Sequence, residues 1–266
     1  MSKTLKKLYL FLIFVFLYAP VATLIVFSFN SSKSRGSWGG FTFKWYQELF
    51  QDKQIMSSLY YTLAIALLSS LIATIAGTAA AVAIHNMKKP LRSFIINVTY
   101  LPVLNPDIVT GISLMILFIF LRMDLGFVTL LLAHITFNVP YIILSVLPKL
   151  KQLNKHMYEA ALDLGAQPLK AFFKVILPEI MPGIITGFLL AFTLSLDDFI
   201  ISFFTTGSGV STLSITVYSM ARRGINPKIN ALSTLMFIAV LGLLLVINKR
   251  SSANNKNETA RLTNLI

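Results

Sequence analysis

The sequence predicts an all-α integral membrane protein with six transmembrane helices, and three observations lead there. Of its 266 residues 56% are hydrophobic and only 12% charged, about half the charged share of a soluble domain. The mean hydropathy is +0.75, so too little polar surface exists to face water and lipid must solvate the exterior. The apolar residues also gather into six runs, on the scale of the roughly 20 residues a helix needs to cross a bilayer core of about 30 Å. None of the runs alternates with the period of a membrane barrel.

The first run covers residues 8–29, behind Lys3, Lys6 and Lys7. A basic start with Ala19 and Ala22 resembles a cleavable leader, but the run exceeds an h-region of about 7–15 residues and reads as a span. The second covers 59–84. The third extends over 94–121 and is interrupted at Asn105-Pro106-Asp107, which places its span at 106–121. The remaining spans are 126–147, 180–204 and 231–248. Residues 1–250 thus read as one transmembrane domain and 251–266 as a polar, disordered tail. No internal repeat is visible, which argues against an inverted-repeat carrier.

The net charge of +13 invites a nucleic-acid reading, but the basic residues lie in short groups between apolar runs rather than on one face. With the N-terminus inside, the inner segments hold 15 Lys and Arg and the outer ones 8. This excess places both termini in the cytoplasm. The absence of cysteine excludes disulfides and thiolate chemistry. Three histidines, His85, His134 and His156, offer no clustered metal site.

Two loops exceed simple turns. Residues 30–58, rich in Ser, Gly and aromatics including Trp38, Trp45 and Tyr46, suit an extended stretch followed by an interfacial helix. Belt anchoring or ligand contact would each use those aromatics. The other loop, 149–178, is cytoplasmic in this orientation and reads as helix, break, helix. Gly165 suits a left-handed helix end, Pro168 the opening of the next helix, and Pro178 and Pro182 the entry to the fifth span.

That loop carries Glu159-Ala160-Ala161, three residues, Gly165, nine residues, then Val175-Ile176-Leu177-Pro178. At this spacing the sequence resembles binding-protein-dependent ABC importer permeases. Val175 stands where the family usually has Ile, and Gln167 where it often has a capping Ser. The resemblance implies the type I ABC importer permease fold and a coupling role for Glu159, Ala160, Ala161, Asp163, Gly165, Leu177 and Pro178 against a nucleotide-binding subunit. The chain has no GxxxxGK[ST] phosphate loop, so ATP and its magnesium would belong to that separate ATPase. No cofactor of its own, no enzymatic step and no nucleic-acid partner are expected.

Acidic residues at membrane depth are the second signal. A carboxylate at the bilayer centre costs about 2.5–3.5 kcal/mol on insertion scales, so Asp197-Asp198 must face water, protein or a cation. If both are helical they point about 100° apart. One then faces a pathway while the other braces a neighbour, or both are structural, paired with Arg222, Arg223 or helix ends. Asp107 suits a helix start with Asn105 as N-cap and Pro106 as first residue, although a helix broken near the midplane also serves substrate contact. His134 reads as an interhelical polar contact.

Several segments narrow the resemblance: Phe27 to Ser32, Pro106-Asp107-Ile108-Val109, His134-Ile135-Thr136-Phe137, Phe192 to Asp198 and Asn230-Ala231-Leu232. They are similar to the second permease of spermidine/putrescine importers, over nearly the whole chain. The resemblance implies a pathway containing Asp107, Ser195, Asp197, Asp198 and Tyr218, because carboxylates and aromatics suit a polycation. It also implies a homologous permease partner, two copies of an ABC ATPase subunit, an extracytoplasmic polyamine-binding protein, and residence in a bacterial inner membrane. A permease for another cation or an amino acid, a secondary carrier and an intramembrane aspartyl enzyme are the rival readings.

Overall fold

A computed structural model describes residues 3–33, 37–223, 226–239 and 241–242. Among the described residues there is no strand, only an isolated antiparallel bridge between Asn30 and Phe41. The chain divides into two compact units, one of residues 57–216 and the other of the segments on either side.

In the flanking unit, α1 (Lys3–Ser28) is apolar all round, with Phe16 80% exposed, as expected of a helix solvated by lipid tails. An extended segment follows and leads into α2 (Lys44–Gln51), which buries Trp45 and Leu49. Its polar side pairs Lys44 with Glu48 at 3.7 Å. Lys228, in a helix over 227–239, lies 3.2 Å from Asp52 and 3.8 Å from Glu48.

The larger unit contains most of α3 (Lys53–Asn86), then α4 (Lys89–Leu104), α5 (Asp107–Phe120) and α6 (Phe127–Gln152). These are followed by α7 (Lys155–Asp163), α8 (Pro168–Ala171), a π turn (Phe172–Ile176), α9 (Leu177–Asp197), α10 (Ile200–Thr205) and the start of α11 (Leu213–Arg223). Its core joins Ala73, Ala81 and Ile84 of α3 to Ile142, Val146 and Leu150 of α6 and Ile180 and Ala191 of α9. These side chains recur at helical spacing, and fully burying each isoleucine is worth about 1.5–3 kcal/mol. A second cluster joins Phe118, Ala133, Phe137 and Ile201, tying α5, α6 and α10 together. Close approach of α9 to α6 depends on Gly183, where a Cβ would stand 2.8 Å from Lys149 Cγ and 2.9 Å from the Ser145 carbonyl oxygen.

Among the described residues, four helices are long and apolar enough to cross a membrane, or five if the bent pair α4 and α5 is one span. The expected sixth, 231–248, is helical where described, and its residues 243–248, like the tail, lie outside the described residues. Two spans differ from expectation. At the third, α4 and α5 bend by 103°, and the 14 residues of α5 rise only about 21 Å, too short to cross alone. Asn105 ends α4 rather than capping α5, whose N-cap is Pro106, because proline forces extended backbone on its predecessor. At the fifth, the helix stops at Asp197 instead of running to 204, because Asp198 adopts an extended ψ of 127°. That span also starts earlier, the helical path being continuous from Pro168.

Candidate functional site

The break between α9 and α10 carries a cluster of buried polar contacts. Asp198 leaves the helix and turns its carboxylate onto the next one. Its Oδ1 accepts from Ile201 N at 3.1 Å and its Oδ2 from Ser202 N at 2.7 Å. His134 Nε2 lies 3.5 Å from the same Oδ2 and 3.1 Å from Ser202 Oγ. The Asp198 side chain is only 7% exposed, so these N–H groups replace the water that a carboxylate otherwise requires. Asp197, the last residue of α9, is exposed.

Below the break α6 and α9 share a second polar contact. The side-chain nitrogen of Asn138 donates to Ser195 Oγ at 2.8 Å and to Ser69 Oγ at 3.2 Å. Ser195, expected in a pathway, is buried in this contact. At the far end of α10, Thr129 Oγ1 donates to the Thr205 carbonyl at 2.9 Å. Sequence reasoning identified His134 as an interhelical contact but missed Ser69, Thr129, Asn138 and Ser202. The signal was present, since Thr129, His134 and Asn138 interrupt one apolar run, and polar side chains at membrane depth are costly without partners.

Asp107 is exposed at the first residue of α5, where its charge complements the helix dipole. Tyr218 belongs to the flanking unit and is half exposed, with the Arg222 guanidinium 5.9 Å above its ring.

The Glu-Ala-Ala segment forms α7, which begins where the Asn154 side chain accepts from His156 N. It closes on Gly165 at φ +82°. Gly165 N donates to the Leu162 carbonyl at 2.8 Å and Ala166 N to the Ala161 carbonyl at 3.0 Å, the paired bonds of a Schellman end. Pro168 then opens α8. Glu159, Ala160, Asp163, Gly165 and Pro178 are exposed, while Ala161 and Leu177 are half-buried. Glu159 Oε2 lies 3.3 Å from His156 Nδ1. Leu164, at the turn, is 89% exposed, leaving an apolar knob beside small residues.

Long apolar helices, interrupted at polar residues and joined by an exposed helix–turn–helix, define a multi-pass membrane transport subunit. The family described as "Binding-protein-dependent transport system inner membrane component" matches residues 73–249, and the chain belongs to it. It is 45% identical over 235 residues to the putrescine transport system permease protein PotI of Escherichia coli (strain K12), covering 85% of this chain and 83% of that protein. To the spermidine/putrescine transport system permease protein PotC of the same strain it is 38% identical over 246 residues, 92% of each chain. In fold it is similar to a chain of a bacterial ABC transporter involved in the import of the acidic polysaccharide alginate, with TM-score 0.75 at 16% identity over 94% of this chain and 98% of that one. The MetNI methionine ABC transporter, at 18% identity, gives TM-score 0.59 over 75% of this chain and 96% of that one.

Proposed function

We propose that this chain is a permease subunit of an ATP-driven polyamine importer. The observation that carries the reading is its similarity, over 85% and 92% of the chain, to permeases named for putrescine and for spermidine and putrescine. The chemistry agrees with a polycationic cargo. Asp197 keeps its carboxylate exposed where α9 ends, and Asp107 does so where α5 begins, so each offers a cation an anionic partner at an interruption of the helical spans.

In this reading the chain forms half of a pathway with a homologous permease in the bacterial inner membrane, both termini in the cytoplasm. Two ABC ATPase subunits, holding ATP and magnesium, dock on the helical loops, and an extracytoplasmic polyamine-binding protein delivers cargo. Glu159 supplies hydrogen bonds to the ATPase, while Ala160, Ala161 and Gly165 allow close approach. Closure of the ATPase dimer on ATP moves these loops together, and α9, continuous with α8 through the π turn, carries the movement into the membrane. The subunit itself makes and breaks no covalent bond.

The test is uptake of labelled putrescine and spermidine by cells lacking this chain and any other polyamine importer, complemented with wild type, Asp197→Asn or Glu159→Lys. Uptake restored by wild type, a raised KM in Asp197→Asn and loss of ATPase association in Glu159→Lys support the reading. Equal polyamine uptake with and without the wild-type chain overturns the cargo.

A further inference from the structure

Adjacent carboxylates at the α9–α10 break occupy different environments. Asp197 is exposed. Asp198 has both oxygens committed, Oδ1 to Ile201 N at 3.1 Å and Oδ2 to Ser202 N at 2.7 Å. It also faces a histidine that is itself buried at 1% exposure. We propose that Asp198 is a positioning residue for transport, fixing α10 against α6, and that the cargo's charge is met by Asp197 instead. The division of labour rests on the polyamine reading; the positioning role does not.

Three further observations support it. First, α10 is short: its six residues include a first turn whose N–H groups have no intrahelical acceptor, and Asp198 takes two of them. Second, α6 holds α10 at two points, through His134 to Ser202 Oγ at 3.1 Å and through Thr129 to the Thr205 carbonyl at 2.9 Å. Third, α5 closes the other side, with Gly111 placed so that a Cβ would lie 3.1 Å from the Phe204 ring and 3.5 Å from Ile201 Cα. A carboxylate so enclosed meets a cation only by releasing α10. Asparagine keeps an acceptor for only one of the two amides and sets its NH2 against the other, whereas alanine keeps neither.

That contrast makes the test. The assembled importer is measured with Asp198→Asn, Asp198→Ala and Asp197→Asn, after membrane levels are matched. Positioning predicts unchanged KM for both Asp198 variants, with Vmax down about threefold for Asn, which keeps one acceptor, and about tenfold for Ala, which keeps none. Asp197→Asn raises KM about tenfold with Vmax retained, as expected when one charge-assisted contact to the cargo is lost. Cargo contact at Asp198 predicts instead that Asn and Ala are equally impaired and that KM rises in both, and this result overturns the proposal. Binding-protein-stimulated ATP hydrolysis supplies a reading independent of cargo. There, Asp198→Ala lowers the stimulated rate more than Asp198→Asn does, even if the wild type imports neither polyamine; equal loss in both overturns the positioning role.

Discussion

The side-chain nitrogen of Asn138 donates to Ser195 Oγ at 2.8 Å in the buried seam between α6 and α9, and Ser69 Oγ of α3 completes the triangle at 3.2 Å from Asn138 and 3.3 Å from Ser195. Three helices therefore share one polar contact inside an otherwise apolar core. Asn138→Leu strips the donor from two buried hydroxyls and is expected to cost about 1–3 kcal/mol, read as a lower melting temperature in detergent. Ser195→Ala alone should cost less, because Ser69 still accepts from Asn138. The double variant should lose less than the sum of the two, the mark of residues acting through one contact.

Gly183 sets how close α9 approaches α6. Replacing it with alanine improves helix propensity by about 1 kcal/mol, but the new methyl meets the Ser145 carbonyl oxygen at 2.9 Å. Backbone cannot swing aside as a side-chain end can, so overpacking of about 1–3 kcal/mol prevails and the variant melts earlier. Lys149→Ala should not restore it, since removing Lys149 Cγ leaves the carbonyl clash untouched. Full restoration by Lys149→Ala would show that the lysine, not the backbone, sets the distance.

Most of this fold was legible because lipid solvation leaves a strong trace. Residues 59–84 lie wholly inside α3, and 127–147 inside α6, because uninterrupted apolar runs have few alternatives in a membrane. What hydropathy does not register is a break among apolar residues. Phe199, Ile200 and Ile201 look like a continuation of α9, yet the chain turns at Asp198 because its carboxylate caps the following amides instead of continuing the helix. At the third span the proline marked the interruption correctly, but no local rule gives the 103° bend. The hairpin was readable from Gly165 and Pro168, whose backbone preferences are intrinsic. The network of Ser69, Asn138 and Ser195 was hidden because it unites residues on three helices.

Gly165 closes α7 at φ +82°, a conformation that costs an ordinary residue roughly 1–2 kcal/mol. Gly165→Val should fray the turn that presents Leu164 and Ala166, lowering stimulated ATPase activity of the assembled importer. Asparagine tolerates the left-handed region better, so Gly165→Asn should retain more activity than Gly165→Val. An equal loss in both would mean that space, not backbone conformation, is what glycine supplies; no atom lies within 4 Å of a Cβ built there, so conformation is the expected determinant.

Asn30 organises the extended segment after α1. Its Oδ1 accepts from Ser32 N at 3.2 Å and Gly39 N at 2.8 Å, its Nδ2 donates to the Ser37 carbonyl at 2.9 Å, and its own carbonyl accepts from Trp45 Nε1 at 2.6 Å. The residue is buried, so losing its side chain leaves three backbone groups in need of water. Asn30→Ala should loosen this segment and speed tryptic cleavage at the exposed Lys33, while the Trp45 bond, made to backbone, survives. Asn30→Asp keeps both accepted bonds but turns an oxygen toward the Ser37 carbonyl, losing one bond of roughly 0.5–1.5 kcal/mol. Its cleavage rate should therefore fall between wild type and Asn30→Ala. A rate for Asn30→Asp equal to that of Asn30→Ala would mean that the bond to Ser37, rather than the pair accepted from Ser32 and Gly39, holds the segment closed.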